Sequence, residues 1–103
     1  MKKDQQFHIV RADKAGVFLC RIQSIGGPNG DSYKVTNLRR LYRWAGALDV
    51  TMIALEGVAN PSNCTFSVQL GDDDISTIHN VLEAHPVSEK SLAILNKVPA
   101  WKK

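Results

Sequence analysis

A chain of 103 residues holds material for one modest core, so a single domain over residues 1–103 is expected. Its 44% hydrophobic and 22% charged residues exclude a disordered chain and a scaffold built on disulfides. The net charge of +3 rests on the termini: without Lys2, Lys3, Lys102 and Lys103 nine bases face ten acids, too few for the broad basic footprint of a duplex-binding domain.

Phe7 to Arg11 and Gly16 to Ile25 are rich in β-branched and aromatic residues around a short polar connection, which predicts two antiparallel strands. Gly26-Gly27-Pro28-Asn29-Gly30 is a hairpin turn, because glycine supplies positive φ and proline cannot join a ladder. A third strand starts near Ser32 and runs through Val35; Asn37 marks a kink or turn before a fourth, Leu38 to Ala45. Gly46 ends that strand. Asp49 then caps a short helix whose apolar Val50, Ile53, Ala54 and Val58 recur at helical spacing, and Gly57 weakens or ends it. After the loop Asn60 to Asn63, Cys64, Phe66 and Val68 alternate with polar residues as a half-buried strand does. Ile75, Ile78, Leu82 and His85 fall at helical intervals behind Asp74 and predict a helix closed by Pro86. Ser88 caps a last helix carrying Leu92, Ile94 and Leu95, and Val98 to Trp101 form an extended tail. The fold class is α+β, mainly an antiparallel β-sheet or small barrel-like sheet with one to three short helices. The apolar runs are too short to span a bilayer or form a signal segment, so a soluble, cytoplasmic protein with no membrane partner is expected.

The chemistry concentrates in Val35 to Ala47, V-T-N-L-R-R-L-Y-R-W-A-G-A, where three arginines interleave with two large aromatics. In an extended chain Leu38, Arg40, Tyr42 and Trp44 share one face, and Arg39, Leu41, Arg43 and Ala45 the other. A guanidinium beside flat rings can hold an anion and stack a base. The same pattern also suits an ordinary sheet face with Arg40 stacked on its neighbours. Glu56, a charge on an apolar helix, must face water or find a partner such as Arg39 or Arg40. Trp101 is either a plug that docks the tail or an anchor at a subunit contact.

Other chemistry finds little support. Cys20 and Cys64 lack metal-ligand spacing and read as small buried hydrophobes, although spacing alone leaves a disulfide between them open. His79 and His85 read as a surface pair, and Asp72-Asp73-Asp74 as a solvated acidic turn. The glycines form no phosphate loop, and no nucleophile elbow or paired carboxylate motif occurs. No metal, cofactor or catalytic residue is therefore expected, and the protein is read as not an enzyme.

The segment T-N-L-R-R-L-Y-R-W-A-G-A, with L-E-G, N-C-T-F and the closing V-P-A-W, resembles a family of small phage and prophage proteins of unassigned function. The matching positions are Asn37, Arg39, Arg40, Leu41, Trp44, Gly46, Ala47, Glu56, Gly57, Asn63, Cys64, Phe66 and Trp101. Tyr42 and Arg43 depart from that family's aromatic pair, and its segment before Pro86 is more β-like. The resemblance implies a phage accessory protein made in an infected bacterial host cell. Proteins of this kind bind nucleic acid, block a host protein, or sequester a host nucleotide signal as oligomers.

The resulting expectation is a non-enzymatic homo-oligomer that binds a small anionic, nucleotide-like ligand and sequesters a host defence signal. The ligand residues would be Asn37, Arg39, Arg40, Tyr42, Arg43, Trp44 and Glu56, with Trp101 at the interface between subunits. The alternatives are an inhibitor docking on a bacterial host or defence protein, and a binder of single-stranded nucleic acid.

Overall fold

A computed structural model describes residues 6–44, 46–47 and 49–101. Ala45, expected in the fourth strand, and the four terminal lysines lie outside the described residues. The chain runs β1 (Phe7–Ala12), β2 (Gly16–Gly26), β3 (Ser32–Arg43), α1 (Val50–Glu56), β4 (Thr65–Phe66), β5 (Ser76–Ile78), β6 (Val81–Pro86) and α2 (Glu89–Leu95), with a 3₁₀ turn at Pro61–Asn63. All strand pairings among these elements are antiparallel, in the order β4-β3-β2-β1-β6, and β5 pairs with the earlier half of β3. The class is α+β, mainly sheet, as expected.

The sheet curls on itself. β5 borders β3 and β6 borders β1, yet only His79 and Asn80 separate them. In a flat sheet strands four places apart lie about 19 Å apart, whereas three Cα steps span at most about 11 Å. The two edges must therefore approach each other. The Val81 N–H donates to the Asp31 carbonyl at 3.0 Å and the Asp13 N–H to the Asn80 carbonyl at 2.9 Å, fastening that seam.

Strand alternation divides the apolar side chains between two cores. Val10, Ala12, Phe18, Cys20, Val35 and Ile78 fill the inside of the curl. Ile9, Leu19, Leu41 and Phe66 point the other way and are covered by Val50, Ile53 and Ala54 of α1 and Leu95 of α2. Cys20 and Cys64 belong to different cores, on opposite sides of the sheet. Burial pushes the Cys20 thiol up to about 12.

Both helix caps form as expected: the Met52 N–H donates to Asp49 Oδ1 at 3.0 Å, and the Ser91 N–H to Ser88 Oγ at 3.0 Å. The helices are also stitched end to end. Ser88 donates its N–H to the Ala54 carbonyl at 3.0 Å and its hydroxyl to the Leu55 carbonyl at 2.7 Å, while buried Ser91 Oγ–H reaches the Ile53 carbonyl. The Ala54 and Leu55 carbonyls at the end of α1 are thereby satisfied, and the Ile53 carbonyl accepts from Ser91 in addition to the Gly57 N–H.

Three sequence expectations are corrected. Residues 75–85 form strands β5 and β6 and not a helix, because Ile78 buries into the curl and Asn80 takes a left-handed conformation (φ 59°) that breaks a helix and carries the chain from its pairing with β3 to its pairing with β1. The expected third and fourth strands are one strand: Asn37 (φ 55°) inserts a bulge that bends β3 without ending it. The strand expected from Cys64 to Gln69 is paired as strand only at Thr65–Phe66, and Val68 is exposed.

Candidate anion-binding site

Bulges decide which side chains of β3 meet. The Asn37 bulge puts Leu38 on the inner side with Val35, and Arg39 with Leu41 on the helix side. A second register shift lies between Leu41 and Arg43. Because two bulge residues count as one in the alternation, Tyr42 and Arg43 are both exposed and Trp44 packs against the helix-side core. Trp44 therefore does not share a face with Arg40, as uninterrupted alternation predicted.

The two adjacent arginines part company. Arg39 is 6% exposed; its Nε–H donates to the Ser67 carbonyl at 2.7 Å, Nη2 to Val98 at 2.6 Å and Nη1 to Leu95 at 3.4 Å. Its Cζ lies 5.0 Å from the Phe66 ring centre, and burial lowers its pKa. Arg39 thus ties the end of α2 and the tail to the sheet. Arg40 instead lies half-buried over the ring of Phe18, with Cζ 4.8 Å from its centre.

Arg40 lines a cleft of about 470 Å³ at the seam of the curl. The β1–β2 turn contributes Asp13, Lys14 and Ala15, strand β5 Ser76 and Thr77, the connection from β5 to β6 His79 and Asn80, and the floor is Phe18, Leu38 and Ile78. Lys14 and Asn80 both have positive φ, 67° and 59°. Left-handed backbone is unusual for lysine, and strained conformations of this kind gather where a loop is shaped for function. His79 is oriented by Ser32, whose Oγ lies 3.1 Å from its Nδ1. Two cations, Arg40 and Lys14, outnumber the one carboxylate, Asp13, and with an imidazole, two hydroxyls and an apolar floor the cleft can take an anion with an apolar or planar body, in a volume within the range of small-molecule pockets.

The remaining expected residues are dispersed. Asn37 Nδ2 donates to Asp72 Oδ1 at 2.8 Å, and Arg21 Nη1 lies 3.6 Å from the same oxygen, which pins the acidic turn to the bulge. Glu56 pairs with Lys90 at 2.9 Å, linking α1 to α2, rather than with Arg39 or Arg40. His85 lies 2.6 Å from Glu83, itself paired with Arg11, and is not beside His79. Trp101 is 60% exposed and donates its N–H to the Phe66 carbonyl at 2.9 Å, so it does not plug the core. Sequence reasoning missed Lys14, His79 and Asn80. The helix expected over 75–85 hid the second turn, and nothing local marks Lys14.

A second depression of about 690 Å³ runs along α1, lined by Met52, Leu55, Val58 and Ile94. Among the described residues no group of three metal-ligating side chains converges, and no helix is long and apolar enough to cross a membrane.

The fold and its cleft define a small curled-sheet α+β protein with a cation-lined pocket. The chain belongs to the family described as a domain of unknown function (DUF6948), which matches residues 5–95. No curated protein and no solved structure matches it.

Proposed function

We propose that this protein binds a small anionic, nucleotide-like ligand in the Arg40 cleft, acting as a non-catalytic, self-associating binder that sequesters its ligand. The observation that carries the reading is the convergence of Arg40, Lys14 and His79 from three separate elements on one cleft. The ligand set is thereby narrowed: Arg39 and Trp44 serve the fold, while Asn37 and Glu56 hold loop and helix contacts. Self-association is supported by the exposed Met52 and Leu55 beside the groove on α1. The phage origin and the host defence signal as ligand rest on the sequence resemblance alone.

Calorimetric titration at low salt with ribose 5-phosphate and with AMP tests the site. Arg40→Ala and Lys14→Ala should each weaken both ligands at least about tenfold, as loss of a charge-assisted contact does. Unchanged affinity in Arg40→Ala would remove the assignment. The apolar groove favours a second reading, a protein that docks on and inhibits a host partner. A stoichiometric partner captured by wild type and lost in Leu55→Asp would support that reading instead.

A further inference from the structure

The Arg40 cleft holds one group that an anion alone does not explain, the carboxylate of Asp13. Ala12 pairs with Gly16, so Asp13, Lys14 and Ala15 are all that joins β1 to β2, and the Asp13 N–H donates to the Asn80 carbonyl at 2.9 Å. The turn is thus pinned across the seam, and its acid lines the same space as Lys14, Arg40 and His79. Elsewhere on the protein opposite charges meet: Arg11 with Glu83, Arg21 with Asp72 and Lys90 with Glu56. In the cleft they do not. Among the described residues neither the Asp13 carboxylate nor the Lys14 ammonium has a hydrogen bond or an ion pair, and the Arg40 guanidinium has only the ring of Phe18. Charges of both signs face one space and stay unpaired, so each is open to a ligand. A carboxylate only accepts hydrogen bonds, and a ligand that suits Asp13 must therefore bring donors. An ammonium is one source, but Lys14 and Arg40 in the same cleft repel it. Hydroxyls donate without charge. A vicinal diol offers one O–H to each carboxylate oxygen, and the acidic residue of dinucleotide-binding folds takes a ribose hydroxyl in this way.

We propose that Asp13 selects the ligand of this cleft, a ribose-bearing phosphate whose phosphate meets Arg40 and Lys14 and whose free 2′ and 3′ hydroxyls meet Asp13. This rests on the proposed function and adds to it the class of ligand and the residue that distinguishes it. Phosphate and diol are one sugar ring apart, so both fit a cleft of about 470 Å³. The repulsion that Asp13 exerts on an anion becomes the source of selectivity, because a phosphate without hydroxyls meets that repulsion and makes none of the offsetting bonds.

The test titrates AMP, dAMP, phosphoethanolamine and inorganic phosphate into wild type, Asp13→Ala and Asp13→Asn by calorimetry at low salt. Wild type should bind AMP about tenfold more tightly than dAMP, the weight of one hydrogen bond to a charged group. Asp13→Ala should weaken AMP about tenfold and bind AMP and dAMP nearly alike, while inorganic phosphate, freed of a like charge, binds it a few-fold more tightly than wild type. Asp13→Asn, of the same size as the native side chain, should follow in direction. A carboxylate that only repels anions would instead make both AMP and phosphate tighten when it is removed. That result, or equal affinity of wild type for AMP and dAMP, with Arg40→Ala still weakening AMP, would overturn the role of Asp13 and leave the anion site standing. Preference of wild type for phosphoethanolamine over AMP would give Asp13 an ammonium partner and overturn the hydroxyl assignment. If wild type binds none of the four compounds, the anion site fails and the selection with it.

Discussion

Arg39 and Arg40 are neighbours in sequence, and the structure predicts that replacing them has opposite consequences. In Arg39→Ala the Ser67 and Val98 carbonyls lose a charged donor, whereas the Leu95 carbonyl keeps the Val98 N–H at 3.1 Å. A buried carbonyl left unmet costs about 1–3 kcal/mol, and the emptied volume and the lost contact with Phe66 add to this. The expected destabilisation is about 3–5 kcal/mol, a large part of a total stability of about 5–15 kcal/mol. For a domain of this size that lowers the Tm by roughly 15–30 °C. Arg40→Ala removes a part-exposed cation over Phe18, worth about 0.5–1 kcal/mol, and should move the Tm by only a few degrees while weakening the proposed ligand binding at least about tenfold. Urea unfolding followed by circular dichroism measures both, and limited proteolysis adds a local readout. The Val98 carbonyl that Arg39 holds anchors the tail, so Arg39→Ala should be cut there first. A loss below about 1 kcal/mol in Arg39→Ala, or equal losses in the two variants, would refute this division of labour.

Two further outcomes are expected. A Cβ on Gly46 (φ 87°) would lie 2.4 Å from Ala59 Cβ and 2.6 Å from the Ala59 nitrogen, so Gly46→Ala should cost about 2–4 kcal/mol; a Tm within a few degrees of wild type would contradict the close approach of those segments. Hydrogen bonds from His85 and then Arg11 hold the Glu83 carboxyl below the usual carboxylate range. Its folded pKa lies below the unfolded value of about 4.3, so the stabilisation is complete above that value and is lost as pH falls through the folded one. The small Tm gap between wild type and Glu83→Gln at neutral pH should therefore close in acid, and a gap constant with pH would rule the linkage out.

Local chemistry made much of this protein legible in its sequence. Asp49 and Ser88 cap their helices because a short side-chain acceptor before an apolar stripe has few other uses, and the glycine-rich turn between β2 and β3 admits little but a hairpin. The α+β class, the first two strands and the tail follow from such signals. Which residues face each other does not. One bulge at Asn37 and another after Leu41 shift the phase of β3, and a shift of one residue exchanges its faces. Arg39 thereby becomes a clasp, Trp44 a packing residue, and Arg40 alone of the three expected arginines reaches the cleft. The helical spacing of Ile75, Ile78 and Leu82 was overridden because the chain pairs with β3 and β1, a long-range choice that no local window contains. The amino-acid sequence by itself determined the elements, their caps and the cluster of cations and rings, because these depend on neighbours along the chain. Only the tertiary structure decided which of those cations meet Lys14 and His79, because the curl of the sheet joins turns more than sixty residues apart, Lys14 to Asn80, at one seam.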